Sequence, residues 1–142
     1  MSVRTRALAL PWLALAAIAA SGCGGRTTVR ELSMGRYEDP PAALFERALT
    51  GVQALGYAPT SIDAEHGTIV VPAAYTSRRD GPAEFHVQLY REGWIAVTIS
   101  GGGLRREGDG AQAPGELARE YRALALGLRE HVEGLQRGSL GR

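Results

Sequence analysis

The stretch EFHVQLYREGWIAVTIS, residues 84–100, decides the fold of this chain. Apolar residues alternate with polar or small residues in both of its halves, and a short charged loop separates the halves. The alternating apolar set is Phe85, Val87, Leu89, Ile95, Val97 and Ile99. A period of two residues is typical of half-buried β-strands, so the stretch predicts two neighbouring strands of a sheet.

The length of the loop determines which side chains share a face of this hairpin. A two-residue turn would put the two apolar sets on opposite faces, which would leave one of them in water. A three-residue loop at residues 91–93 pairs Leu89 with Ile95, so that all apolar residues lie on one face. Gly93 also stands where a three-residue hairpin takes a positive φ. The sequence therefore predicts the three-residue loop.

The opposite face of the hairpin is the candidate interaction surface. It carries two aromatic residues among small and polar ones: His86, Gln88, Tyr90, Trp94, Ala96 and Thr98. Aromatic side chains bury much area at low entropic cost and are typical of binding surfaces. We expect this face to bind a partner. The alternative is that Tyr90 and Trp94 stabilise the hairpin as a cross-strand pair, and the two interpretations are compatible.

Residues 39–56, upstream of the hairpin, carry the signals of one amphipathic helix. Asp39 is placed to act as the N-cap, Pro40 suits the first helical position, and Gly56 is placed to end the helix. The apolar stripe between these signals is Leu44, Phe45, Ala48, Leu49, Val52 and Leu55. Together they predict a helix over about residues 40–55.

Two shorter runs connect this helix to the hairpin. Residues 57–62 and 68–75 have β-like composition, and Gly67 supplies the positive φ that a reversal between them needs. We expect two further strands here. Residues 76–83 contain Ser, Asp, Gly and Pro, a composition that predicts a loop.

The C-terminal part completes the predicted fold. Residues 101–114 are glycine-rich and charged, which predicts a mobile loop. A long amphipathic helix is expected over about residues 115–135. Its stripe is Leu117, Tyr121, Leu124, Leu128, Val132 and Leu135. The predicted fold class is α+β, with an antiparallel sheet of about four strands, two helices on one face and the order α-β-β-β-β-α.

The N-terminal residues have the layout of an export signal. Arg4 and Arg6 precede an apolar run over residues 7–20, and small residues follow in Ala20-Ser21-Gly22-Cys23. As a helix the run would be roughly 21 Å long, shorter than the roughly 30 Å hydrocarbon core of a membrane. The run therefore indicates a secretory signal rather than a membrane-spanning segment. An uncleaved N-terminal anchor, or cleavage after an Ala-x-Ala site, is the alternative.

This ending resembles the lipobox of bacterial lipoproteins. The resemblance implies that Cys23 receives a thioether-linked diacylglycerol and becomes the first residue of the mature protein. Gly24 in the next position implies transport to the outer membrane, facing the periplasm, in an organism with two membranes. The membrane, reached through the lipid on Cys23, is then one partner, and an envelope protein is the expected other.

These signals divide the chain into four expected parts. Residues 1–22 are a signal peptide, 23–38 a lipidated cysteine with a flexible tether, 39–136 a single α+β domain, and 137–142 a disordered tail. Two of the 16 basic residues lie in the signal, so 14 basic residues face 15 acidic ones in the mature domain. A nearly neutral domain lacks the positive electrostatic potential that attracts nucleic acid, so we expect no nucleic-acid partner.

The sequence contains no recognisable catalytic or metal-binding pattern. The histidines lie on three different predicted elements: His66, His86 and His131. Their spacing does not fit a metal site, and Ser100 lacks the Gly-x-Ser-x-Gly context of a hydrolase. Glu116 and Glu120 lie one turn apart on a helix face predicted to be solvated. We therefore expect no cofactor and a non-enzymatic protein.

A second resemblance concerns residues 55–71. Leu55-Gly56-Tyr57 through Asp63, followed by Gly67-Thr68-Ile69-Val70-Val71, resembles small envelope lipoprotein domains, including repeats in an outer-membrane assembly accessory lipoprotein. It implies an interaction or assembly-accessory module, and no functional residue carries over. The alternatives are a carrier of a small apolar ligand, held between sheet and helices beneath Phe45, Phe85 and Tyr121, and a small hydrolase.

Overall fold

A computed structural model of the protein describes residues 26–29, 32–108 and 110–139. The predicted signal peptide and Cys23 lie outside the described residues. The elements in chain order are β1 (Arg26–Val29), β2 (Leu32–Arg36), α1 (Pro41–Ala54), β3 (Ser61–Asp63), β4 (Thr68–Ser77), β5 (Gly81–Leu89), β6 (Trp94–Gly101), β7 (Arg105–Glu107), β8 (Gly110–Pro114) and α2 (Gly115–Ser139). Within these ranges, no helix is long and apolar enough to cross a membrane.

The strands form two antiparallel sheets. The larger has five strands in the order β2-β6-β5-β4-β3, and the smaller has three in the order β1-β8-β7. The predicted α+β class, with two helices against one face of an antiparallel sheet, is confirmed. The larger sheet has one strand more than the predicted four, because β2 pairs with the outer side of β6.

The central hairpin has the predicted register. Leu89 lies opposite Ile95, and the Tyr90 N–H donates to the Trp94 carbonyl at 2.8 Å. Gly93 has a φ of 88° and donates its N–H to the Tyr90 carbonyl at 2.9 Å. The three-residue loop is confirmed because only this loop length places both apolar sets on the buried face.

The core lies between that face and the two helices. Its largest fully buried side chains are Tyr121, Phe85, Leu44, Ile69, Ile95, Leu117, Leu124, Leu128, Val52, Val71, Val87 and Val97. The Phe85 ring forms a T-shaped pair with Tyr57 at a centroid distance of 6.1 Å and stacks on Tyr121 at 6.2 Å. The Tyr121 hydroxyl donates a hydrogen bond to the Val97 carbonyl, so this buried polar group is paired.

The two ends of α1 differ in how well the sequence predicts them. The N-cap is Pro40 without a side-chain cap, so the prediction of Asp39 as N-cap is wrong. Because the helix begins at Pro41, Asp39 lies one residue too early and instead pairs with Arg47 at 2.8 Å. The C-terminal prediction is confirmed, since Gly56 has a φ of 89°. The N–H groups of Gly56 and the next residue donate to carbonyls of the last turn, a Schellman arrangement.

Both predicted loops are largely strand in the structure. In place of a loop over residues 76–83, Ser77 pairs with Gly81 across a short turn, which the Asp80 N–H stabilises by donating to the Ser77 hydroxyl at 3.0 Å. In place of a mobile loop over residues 101–114, β7 and β8 form a second hairpin. Local composition does not reveal it, because β8 gains its second neighbour from β1, far away in the sequence.

The expected tether and tail also differ from the structure. Arg26–Val29 and Leu32–Arg36 are strands that pair with β8 and β6, so most of residues 26–36 belongs to the sheets. Cys23, Gly24 and Gly25 lie outside the described residues. Helix α2 continues to Ser139, three residues past the predicted end of the domain at residue 136.

Candidate functional site

Among the described residues, both helices lie on one face of the five-stranded sheet, and the other face carries no helix. Burial alternates along β5, with Phe85 and Val87 inaccessible beneath the helices and the intervening residues accessible from the other side. We call this second side the open face. Its members are Thr68 and Val70 of β4, Glu84, His86 and Gln88 of β5, Tyr90, and Trp94, Ala96, Thr98 and Ser100 of β6.

The two aromatic residues lie at one end of the open face and are its exposed large hydrophobic side chains. Tyr90 is 46% exposed and Trp94 is 43% exposed. Their backbones pair directly, but the ring–ring contacts found among the described residues involve Tyr57, Phe85 and Tyr121 instead. The two rings therefore keep area that a partner could cover.

Hydrogen bonds orient the polar residues of the open face. Gln88 accepts a hydrogen bond from the Thr68 hydroxyl at 2.8 Å and donates one to the His66 carbonyl at 2.7 Å. The His86 Nε2 atom lies 3.0 Å from the Ser100 Oγ atom. Side chains held in this way lose little further freedom on binding, which favours association.

Ala96 differs from the other predicted members of the surface. It is only 4% exposed, so it offers almost no area to a partner. The cause is that β6 is an interior strand, with Ser33 of β2 and Gln88 of β5 on either side of Ala96. Thr98 is half-buried, and His86 and Gln88 are half-buried as well.

A groove of ≈ 710 Å³ adjoins the aromatic end of the open face. It lies between the first turns of α1, the β3–β4 turn and the β5–β6 loop, and Tyr90 belongs to both groove and open face. Its apolar wall consists of Leu44, Phe45 and Leu89. Its polar rim consists of Glu46, Glu65, His66, Arg91 and Glu92. Sequence reasoning missed the groove because three segments distant in the chain form it.

The histidine at the groove rim is held in place by an aspartate. The His66 N–H donates to Asp63 Oδ1 at 3.0 Å, and His66 Nδ1 lies 2.8 Å from Asp63 Oδ2. The backbone and side-chain hydrogen bonds from His66 hold the pKa of the exposed Asp63 carboxyl below its usual value. This turn therefore presents a defined edge to the groove.

Glu120 has a structural role that the sequence does not predict. The expectation that Glu120 is solvated is wrong, because its carboxylate accepts hydrogen bonds from the Ala74 N–H at 2.6 Å and the Tyr75 N–H at 2.9 Å. These donors lie where the β4–β5 register shifts after Pro72. A proline inside a strand is the available signal for such an irregularity. Glu120 thereby pairs backbone groups that the ladder leaves free.

Tyr57 completes the Glu120 site. Its hydroxyl donates to Glu120 Oε1 at 3.1 Å. Burial, the Glu120 charge and this hydrogen bond together raise the pKa of Tyr57 to about 12. Such a group stays neutral at physiological pH and donates its hydrogen bond to Glu120.

His86 and Ser100 are in contact, but among the described residues no hydrogen bond joins His86 to a carboxylate that would orient it as a base. Across the same residues, no group of three or more metal-ligating side chains comes together.

A scan against protein-family models and a search of curated proteins find no match to the chain.

Proposed function

We propose that the protein is an envelope lipoprotein, anchored to a membrane through Cys23, that binds a protein partner without catalysing a reaction. The proposal rests on one observation: two exposed aromatic side chains, Tyr90 and Trp94, lie beside a groove. The export signal and Cys23 support the location, and the open face supports the activity.

The open face has the properties of a preformed binding surface. Interfaces concentrate their energy in a few aromatic anchors, and Tyr90 and Trp94 are such residues on a rigid hairpin. Gln88 and His86 around them are already hydrogen-bonded within the protein, so binding requires little reordering. A protein surface with both apolar and polar areas fits this arrangement better than a strongly charged polymer does.

A carrier of a small apolar ligand is the second candidate. The groove volume of ≈ 710 Å³ lies within the range of about 300–1,000 Å³ typical of ligand sites. Its apolar wall includes Phe45, whereas Phe85 and Tyr121 stack on each other in the core. A ligand would therefore lie at the end of the sheet rather than beneath the three rings.

Site-specific photo-crosslinking in the native envelope tests the partner proposal. A photoreactive amino acid at Arg91, on the loop beside the groove, should capture a discrete protein, and the same group at Leu126, which is 60% exposed on α2, should not. Combining Tyr90→Ala with Trp94→Ala should lower capture at least about tenfold, as expected for two anchor residues. Retained capture together with a large drop in melting temperature would instead make the pair structural.

The carrier proposal has a separate test. Ala42 lies at the groove and is exposed, so Ala42→Trp should fill the groove without disturbing the core. If the protein carries an apolar ligand, this variant should lose binding of an apolar fluorescent probe while the crosslinked partner is retained. Loss of the partner with unchanged probe binding would favour the protein-interaction proposal.

The anchor is tested with Cys23→Ser. This variant should lose metabolic labelling by fatty acid and move from the detergent phase to the aqueous phase, because it lacks the thiol to which the lipid attaches. Unchanged partitioning would contradict the proposed anchor.

A further inference from the structure

The fold begins very close to the proposed lipid-bearing residue. Strand β1 starts at Arg26, and only Gly24 and Gly25 separate it from Cys23. Three fully extended residues span roughly 11 Å. An anchor on Cys23 would therefore hold the end of the domain that contains Arg26 against the bilayer surface.

The same end of the domain contains the β4–β5 turn. Arg26 lies opposite Pro114, where β8 leads into α2, and β7 lies on the other side of β8. Gly103, just before β7, approaches this turn so closely that a Cβ on it would lie 2.7 Å from Asp80 Oδ2. Neighbouring strands are separated by about 4.8 Å, so the turn lies within about three strand widths of Arg26.

Exposed arginines surround this end. We define the basic end as Arg78 and Arg79 of the turn and Arg105 and Arg106 of β7, all four of which are exposed. None of the ion pairs found among the described residues involves them.

Acidic residues nearby do not neutralise the basic end completely. Asp80 belongs to the same turn and accepts a hydrogen bond from the Ser77 hydroxyl at 3.2 Å, and Glu116 is exposed in the first turn of α2. Glu107 lies beyond Arg106, where it pairs with Gly110 at the closed end of the β7–β8 hairpin. The four exposed arginines of the basic end therefore outnumber the exposed acidic residues near it, Asp80, Glu84 and Glu116.

The aromatic residues and the groove lie at the other end of the sheet. Strand β5 runs from Gly81, beside the basic end, to Leu89, which lines the groove. At about 3.4 Å per residue this strand spans roughly 27 Å. The proposed binding surface is thus separated from the basic end by the length of the sheet.

We propose that the basic end docks on anionic phospholipid headgroups and that the aromatic end of the open face then points away from the bilayer. Guanidinium groups bind phosphate oxygens in a bidentate manner, and clustered arginines are attracted to anionic membrane surfaces. The proposal rests on the lipid anchor proposed above and names the surface that the anchored domain meets.

Tryptophan quenching in vesicles tests this orientation with the acylated, processed protein. Removal of residues 1–22 removes Trp12, so Trp94 is the only tryptophan that remains. In vesicles of phosphatidylcholine and phosphatidylglycerol with spin-labelled headgroups, Trp94 should be quenched little. A Trp94→Phe, Pro82→Trp variant, whose reporter lies beside the basic end, should be quenched at least about twofold more.

Charge-removal variants identify the contribution of the arginines. Arg78→Gln with Arg79→Gln should reduce quenching of the Pro82→Trp reporter, as should vesicles of phosphatidylcholine alone or raised salt, because the attraction is screened. Arg91→Gln with Arg122→Gln is the matched control, since it removes two exposed arginines away from the basic end, and it should leave quenching unchanged.

Each result has a distinct meaning. Equal quenching at positions 82 and 94, or quenching that is insensitive to Arg78, Arg79 and lipid charge, would overturn the docking proposal while leaving the anchor intact. Failure of the acylated preparation to associate with any vesicle would overturn the anchor, and the docking proposal with it. Selective quenching at position 82 that depends on the arginines would support both.

Discussion

Two separate structural features require a glycine at position 93. Its φ of 88° belongs to the left-handed region, and a Cβ on it would lie 2.1 Å from the Tyr37 carbonyl oxygen. The Tyr37 N–H also donates to the Gly93 carbonyl at 2.9 Å. Gly93 therefore closes the central hairpin and fixes the segment between β2 and α1 to it.

We expect Gly93→Ala to destabilise the protein by about 3 kcal/mol or more, since left-handed strain of about 1–2 kcal/mol adds to a clash with backbone. Gly81→Ala is the control, because Gly81 has a φ of 82° and a Cβ added there would have nothing within 4 Å. Gly81→Ala should lower the free energy of unfolding only by the left-handed backbone strain. Urea unfolding measures both, and equal losses would show that the Tyr37 contact adds nothing.

The Tyr57–Glu120 pair makes the free energy of unfolding depend on pH in the alkaline range. The pKa of Tyr57 is about 12 in the folded protein against 10.0 in the unfolded chain, so the folded state holds the phenolic proton more tightly. This contribution is complete below pH 10 and is lost as the pH rises towards 12. Burial and the charge of Glu133 also raise the pKa of Tyr37, so some alkaline sensitivity is independent of Tyr57.

Tyr57→Phe should therefore flatten the fall in unfolding free energy between about pH 10 and 12. Glu120→Gln should lower the pKa of Tyr57, because it removes the charge and leaves burial as the main cause. Glu116→Gln, one helical turn earlier and exposed, should leave Tyr57 unchanged. Ultraviolet titration of tyrosinate checks the pKa, and an identical effect of both glutamate variants would contradict the assigned contact.

At the scale of elements, the two helices approach each other closely at Gly51. Gly51 is buried in α1, and a Cβ there would lie 2.8 Å from Leu128 Cδ1 and 3.0 Å from His131 Cδ2 of α2. His131 is half-buried at this contact. Gly51 lowers the helix propensity of α1, but the lack of a side chain allows the two helices to pack closely.

We expect Gly51→Ala to destabilise the protein by about 1–2 kcal/mol, because overpacking outweighs the gain of about 1 kcal/mol in helix propensity. Gly134→Ala should stabilise it by up to about 1 kcal/mol, since Gly134 is exposed in α2 with nothing within 4 Å. Thermal unfolding distinguishes the two. Stabilisation by both substitutions would mean that the helices have room to adjust.

Elements whose signals are local could be predicted from the sequence. The alternation of residues 84–100 and the parity of the loop determine the central hairpin, and Gly56 determines the end of α1. Strands β1 and β8 could not be predicted, because each has the other, far away in the chain, as a partner. Strand β7 pairs only with β8 among the described strands, so its prediction depends on that of β8. The prediction of Asp39 as N-cap is wrong because the helix starts one residue later than predicted. Asp39 pairs with Arg47 instead of capping the helix.

At the scale of the whole molecule, the open face was predictable and the groove was not. Alternation along a strand is enough to assign Tyr90 and Trp94 to one face. The groove requires residues near positions 42, 65 and 90 to meet at one end of the sheet, which only the complete topology specifies. Burial of Ala96 likewise depends on β2 becoming the outer neighbour of β6.

The pairing of β1 with β8 also has a consequence for the order in which the protein folds. Arg26 finds its partner at Pro114, and Leu32 finds its partner at Val97, so the first strands to be synthesised need the last third of the chain. Contacts between segments so distant in sequence form slowly, because a long loop must close first. The central hairpin and α1 can assemble early from local contacts. The strands β1 and β2 must wait for these partners, so the first strands of the described chain are the last to be fixed.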